Sequence, residues 1–516
     1  MKKHRFDTGL AAACLAAALA FAALAAGAAP AAAQSPKVSG PLVGAGFPAD
    51  SELSDYARTG LASLSTFQLG NGIPVVVRKN SASPVRNISL VIRGGSAAST
   101  MDKAGCEFLA LRTMVRGGSK YSYKDIQDLL DATSGTLAAG SGLDYSIYSL
   151  TCLSKYFDRL LPVWSDTLTA PAFTPQDFAQ ALSEARLTLQ SKEKDPWQKT
   201  GLVMNAEFFE GHPYAVPPEG TKDSLAGATI DDVKAWYATA FSADRLFVVA
   251  AGDFDPVDLQ KSLEAAIGSI PNRGAGIPPR PAAFGGEGAG RLVKVEFPSS
   301  QGIAYVRGDF AAPSPRDPDY MAANIAMKMF SDLLFNVVRD LHGAVYSPAA
   351  YIRSYAANYG SIVMYKTNMP GKIKAYIDEA ARDFEAGKVL DMGAGPISGG
   401  KTPDAEGAAA AKHAPAPRMD LEDALEVYKA QFTNEYFEKL GTNAQIADLI
   451  AQSVAATGDC RAWLLSAQQI EAVTADAVKS AAAKYLFGGR ITWVALGASQ
   501  DLVPVVEADY ETLGGK

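Results

Sequence analysis

Residues Thr229–Gly252 lie over residues Thr474–Gly497 at a fixed offset of 245 residues, with no gap between them. Thr229 and Thr474, Asp231 and Asp476, Val233 and Val478, Lys234 and Lys479, Arg245 and Arg490, and Gly252 and Gly497 coincide. Each copy reads as a Thr cap, an acidic first turn, an amphipathic helix and a β-rich run ending in Gly. A repeat at such a spacing means two copies of one folding unit, so any architecture for this chain must be built twice.

Around the repeat, Leu69 to Gly72 marks a turn between β-prone runs, and Asn87–Arg93 reads as a strand stopping at Gly94 and Gly95. Helical patterns start near Lys103, Ser122 and Lys155. In the second copy a strand is expected at Gln301–Arg307, a helix at Pro318–Leu341, and strands at Val345–Arg353 and Tyr359–Thr367. Helices beside antiparallel strands give an α+β class: two tandem homologous domains, each an antiparallel sheet packed with helices. We place the first domain at 61–272, a Pro/Gly/Ala-rich linker at 273–290 and the second domain at 291–512. Residues 387–418 lack periodicity and read as a flexible insertion in the second domain.

The N-terminus carries Lys2, Lys3 and Arg5 before an uncharged Ala/Leu-rich run, the layout of a signal peptide over residues 1–33 with cleavage after Ala33. Retention of that run as an anchor is the alternative. Export to the periplasm follows, with residues 34–60 as a loosely held lead. The formal charge of −7 becomes still more negative once residues 1–33 leave, which argues against a nucleic-acid partner. No other long apolar stretch suggests a membrane span in the mature chain. Cys106, Cys152 and Cys460 form no C-x-x-C spacing and read as buried apolar residues.

In order and spacing, Leu69 to Gly72, Arg93-Gly94-Gly95-Ser96, His212-Pro213-Tyr214, Gly220-Thr221 and Gly252 to Pro256 resemble the pitrilysin/insulinase peptidase family from about Thr66 to Thr512. That family carries an H-x-x-E-H helix after the Gly-Ser turn, with two His zinc ligands and a Glu base. Anchored on Gly105 and Gly117, this chain puts Phe108 and Arg112 at the His positions and Leu111 at the Glu position. Phe has no donor atom and Arg stays protonated, so neither ligates zinc. After Ala33 the chain holds only His212, His342 and His413, and no His pair at i, i+4 exists.

The resemblance puts the family's third ligand, a Glu, on the helix Gln176–Lys194, where the turn Arg186–Ser191 has no carboxylate. Glu193 reads as a solvated helix end. Glu107 could mimic a base in a loose alignment, but a surface or salt-bridged role fits it better. His212 belongs to a structural loop motif, His342 to a polar turn, and His413 to the insertion. By the same resemblance, Asn87–Arg93 corresponds to the edge strand that accepts a peptide by strand addition, with an ordinary core strand as the alternative.

Active relatives also carry an Arg and a Tyr seven residues apart that lie against bound peptide. Arg339 and Tyr346 have that separation, with Gly343 making the turn between them. The alternative is an Arg favoured by a helix C-terminus and a core Tyr. The resemblance thus implies a non-catalytic, substrate-contacting subunit of an exported heterodimeric zinc metallopeptidase. This chain would bind no cofactor itself, and zinc would come from a zinc-box-bearing homologous partner. A peptide-binding or scaffold homologue without a protease partner is the alternative.

Overall fold

The computed structural model describes residues 38–285, 290–391 and 416–514. The expected signal peptide and most of the 387–418 insertion lie outside the described residues. Thirteen strands are present among them: β1 (Leu64–Gln68), β2 (Pro74–Lys79), β3 (Val85–Arg93), β4 (Thr136–Ser141), β5 (Tyr145–Leu153), β6 (Leu246–Gly252), β7 (Arg291–Glu296), β8 (Ala304–Ala311), β9 (Val345–Ile352), β10 (Tyr359–Thr367), β11 (Lys388–Leu390), β12 (Arg418–Asp420) and β13 (Ile491–Gly497).

The first sheet runs β1-β2-β6-β3-β5-β4 and the second β7-β13-β8-β10-β9. Read from β2 and from β7, the two orders are the same. β6 and β13, the strands of the 245-residue repeat, each lie between a parallel neighbour, β2 or β7, and an antiparallel one, β3 or β8. Each sheet is therefore mixed rather than purely antiparallel. Ahead of each repeated strand, Thr229 Oγ1 accepts from Asp232 N at 3.2 Å and Thr474 Oγ1 from Ala477 N at 3.2 Å, which starts both helices at equivalent residues.

The two sheets exchange their covers. The helix Pro196–Phe208, from the first half of the chain, packs on β8 and β13. There Trp197 meets Tyr365 edge-on at 5.5 Å, and Arg291 Nη2 donates to the Glu207 carbonyl at 2.7 Å. In return the helix Asn443–Thr457 packs on β3 and β6, where Asn443 Nδ2 donates to Val85 O at 2.6 Å. Ile446, Ala447, Ile450 and Val454 share one core with Val76, Val91, Phe247 and Val249. Neither sheet can shed its cover without exposing apolar area, so Val38–Lys516 forms one compact unit.

Several expectations change. β3 is paired on both sides, with β5 and with β6, so Asn87–Arg93 is a central strand and the outer strands are β1 and β4. The lead is docked, not loose: Leu42, Leu53 and Ala57 are buried, Ser54 N donates to Gln468 Oε1 at 3.0 Å and Arg461 Nη2 to Gly44 O at 2.9 Å. β8 starts at Ala304, after a turn through Gly302 at φ +74°. The ends of the insertion zip together as the β11–β12 ribbon. The run Tyr320–Leu341 is long and apolar enough to cross a membrane, which the sequence reading overlooked. Its apolarity serves burial: Ile325, Met329, Phe330 and Leu333 are fully enclosed in the core.

Candidate functional site: a degenerate zinc box and an exposed Arg/Tyr pair

Gly105 caps the helix Cys106–Met114 at φ +83°, and a Cβ there would lie 2.8 Å from Gly220 Cα. Close backbone contact at a left-handed residue accounts for both glycines. On the helix, Phe108 packs half-buried against a second core, formed with Ile88, Leu90 and Val248 of the first sheet, and Leu111 is buried within it. Arg112 turns instead to the helix Pro175–Lys194, where its Nη2 lies 3.3 Å from Glu184 Oε2. Arg116, one turn on, lies 3.1 Å from Asp177 and 3.7 Å from Glu184. Gln180, bonded to Glu184 at 3.0 Å, and then the two guanidiniums hold the Glu184 carboxyl below its ordinary range.

These residues do not fit zinc. The described residues contain no group of three His, Cys, Asp or Glu able to hold a metal ion. The Arg112 guanidinium, a cation that cannot ligate a metal, faces the Glu184 carboxylate instead. Glu184 lies on the helix Pro175–Lys194 ahead of the turn Arg186–Ser191, where the sequence places the third ligand. Its four-residue spacing from Gln180 was the available signal, because that spacing places both on one helix face. Glu193 is exposed in the last turn, the solvated position expected for it.

Of the two roles expected for Glu107, surface or salt-bridged, the surface one does not hold. It is only 8% exposed, and Ser146 Oγ, from β5, donates to its carboxylate. Burial raises its pKa, opposed by the Ser146 hydrogen bond and the charge of Arg245. It is a core carboxyl held from outside its own helix.

Arg339 and Tyr346 come together. The helix Tyr320–Leu334 widens into a π-helical segment over Phe335–Leu341, and Gly343, at φ +61°, turns the chain into β9. The Arg339 guanidinium lies 4.4 Å from the Phe335 ring centre and 5.5 Å from that of Tyr346. Tyr346 is 71% exposed, which rules out a core role for it. It stands on β9, one of the two outer strands of the second sheet. A guanidinium and a phenol presented this way can both donate to a carbonyl oxygen.

His342 is engaged elsewhere, with Nε2 2.8 Å from Glu379 and its ring stacked on Tyr376 at 3.8 Å. His212 anchors the linker: Nε2 lies 2.9 Å from Ala282 O and the ring 4.2 Å from that of Phe284. His413 lies outside the described residues. β4, beside the Cys106–Met114 helix, alternates exposed and half-buried residues, and a Cβ on Gly140 would meet open space. Among the described residues β4 pairs only with β5, so it presents the open edge that was expected at Asn87–Arg93.

Two family models match the chain: "Insulinase (Peptidase family M16)" over residues 74–221 and "Peptidase M16 inactive domain" over residues 227–386. A protein named non-peptidase homolog YmxG, from Helicobacter pylori, is 26% identical over 199 residues, 39% of this chain and 46% of that relative. A probable mitochondrial-processing peptidase subunit alpha-2 from Arabidopsis thaliana is 24% identical over 277 residues, 53% of this chain and 49% of that relative. The chain thus spans about half the length of these curated relatives. A crystal structure titled peptidase M16 inactive domain, from Pseudomonas fluorescens, shares the fold at TM-score 0.70 and 17% identity, covering 84% of this chain and 98% of that one. The chain therefore belongs to the insulinase (M16) peptidase family, and it carries two domains of that family's type.

Proposed function

We propose that this chain is the non-catalytic, peptide-contacting subunit of an exported, two-chain zinc peptidase. The observation that carries the proposal is exposed Tyr346, on an outer strand, paired with Arg339 at the end of the preceding helix, in a chain that has Phe108 and Arg112 where the family resemblance puts the zinc ligands. A phenol in the core or a guanidinium tied into an ion pair would have argued for a structural role. Instead both present donors outward, as polarisation of a peptide carbonyl requires.

The zinc and its activated water belong to a partner chain that keeps H-x-x-E-H. Peptide is held by strand addition on an open edge and its carbonyl oxygen accepts from Arg339 and Tyr346. The names of the relatives support this division: one is a non-peptidase homolog, another a subunit of a processing peptidase. The basic and then apolar N-terminus supports export.

The test is peptide cleavage by the chain co-purified with a zinc-box homologue. Arg339→Ala and Tyr346→Phe are each expected to lower kcat/KM by about 10²-fold, the usual loss for one oxyanion donor. Unchanged kcat/KM in both variants, or peptide hydrolysis by this chain alone, would refute the assignment.

A further inference from the structure

Where the two halves and the linker meet, a cavity of about 160 Å³ opens between the end of β3, the strap Ile277–Pro281 and the C-terminal end of the Asn443–Thr457 helix. Arg93, Arg280 and Asp144 are the charged residues in its wall, which leaves an excess of one positive charge. Asp144 is already committed: one carboxylate oxygen accepts from Tyr214 Oη and the other from Ala356 N at 2.8 Å. Neither arginine has a carboxylate within ion-pairing distance among the described residues.

Arg93 is the more anomalous of the two. Its guanidinium is half-buried, 5.0 Å from the Phe247 ring centre, and no acceptor bonds it among the described residues. Burial, with no charge to oppose it, pulls its pKa down to about 10. Arg280 is likewise lowered, by burial and then by repulsion from Arg316, against the pull of Asp144. A guanidinium removed from water without a counter-charge is costly, and folded proteins relieve that cost with a partner.

Much of the rest of the wall has no donor to offer a partner's oxygens. Pro41, Pro278, Pro279 and Pro281 line the cavity and have no N–H to offer. The backbone N–H groups of Gly94, Gly458 and Ala356 are already donated, to Asp144 O, Val454 O and Asp144 Oδ2. The planar fork of a guanidinium matches carboxylate and phosphate oxygens in pairs.

We propose that this cavity binds a small oxyanion, a carboxylate or a phosphate group, through Arg93 and Arg280. Such a ligand touches the first sheet, the strap and the second half together, so binding ties the linker to both halves. The site owes nothing to Arg339 or Tyr346 and stands apart from the proposed peptidase role.

The experiment is calorimetric titration of the full chain with inorganic phosphate and, separately, with succinate, each against sodium chloride at matched ionic strength. Saturable binding of phosphate alone supports a phosphoryl ligand, and of succinate alone a carboxylate ligand. Arg93→Gln is expected to abolish binding and Arg280→Gln to weaken it tenfold or more. Arg280 is exposed, so its variant folds even where Arg93→Gln does not. Absence of binding by both anions, or an Arg280→Gln variant that binds as tightly as the parent, overturns the proposal.

Discussion

Asp309→Asn tests how the exchanged helix is seated. Arg307 and Asp309 lie two residues apart on β8 and so share one face of the strand. They form a two-point pair, Nε to Oδ1 at 2.8 Å and Nη2 to Oδ2 at 2.6 Å, with side chains 9% and 0% exposed. The Pro196–Phe208 helix crosses above them at Gly201, where a Cβ would lie 3.5 Å from Arg307 Nη1. Burial alone would lower the guanidinium's pKa, but the charge and hydrogen bonds of Asp309 outweigh it and hold the pKa above its ordinary value.

Removing one partner from a buried pair costs about 3–5 kcal/mol, mostly for the charge left unpaired. At roughly 2 °C per kcal/mol for a large unit, the melting temperature of Asp309→Asn should fall by about 6–10 °C. The double change Arg307→Met with Asp309→Leu removes both charges and should remain within about 1 kcal/mol of the parent. Urea titration followed by tryptophan fluorescence measures all three proteins, and Trp197 on the covering helix reports its release. A single variant that costs under about 1 kcal/mol, or a double variant as unstable as the single, would refute the reasoning.

Other outcomes follow from single contacts. The folded pKa of Glu107 is raised, so the stability tied to its proton is complete below the unfolded value near 4.3 and is lost as pH climbs toward the folded one. Glu107→Gln keeps an acceptor for Ser146 and should match the parent near pH 4 but exceed it at about pH 8; equal urea midpoints at both pH values would contradict this. Gly308 lies opposite Trp493, and a Cβ there would sit 2.5 Å from Trp493 Cε3, so Gly308→Ala should cost about 1–3 kcal/mol by thermal melt. Arg112 and Glu184 are 41% and 38% exposed, so Glu184→Gln should change stability by less than about 1 kcal/mol. Phe108→His with Arg112→His should bind zinc in a chelator-competition titration only while Glu184 is present, since that carboxylate already faces position 112.

What the sequence could disclose was set by distance along the chain. The 245-residue repeat was legible because β6 and β13 are buried strands preceded by Thr-capped helices, and both features are local. Which strand ends a sheet is decided by partners far away, yet composition leaves a trace of it. Ile88–Ile92 is a continuous buried run suited to a strand covered on both faces, whereas β4 alternates. Glu107 was misjudged for the same reason: its hydrogen-bonding partner Ser146 lies on β5 and Arg245 precedes β6, so nothing near it in sequence marks it as buried. The lead, with few apolar residues, gave no sign that Leu42 and Leu53 find a core.

The Arg339/Tyr346 spacing was legible, but the π-helical widening that brings the guanidinium over Phe335 was not. The same contrast explains the degenerate box. The absence of an H-x-x-E-H run is visible in one-dimensional sequence, but its consequence depends on what surrounds Phe108 and Arg112. A carboxylate such as Glu184 left facing Phe108 and Leu111 would be free to move or to recruit a cation. With Arg112 and Arg116 against it, its charge is already met inside the fold. A divalent ion would have to displace a guanidinium and find its remaining ligands among Phe108, Leu111 and Arg112, which offer none. The lack of a metal site around position 112 is therefore chemically closed rather than merely incomplete.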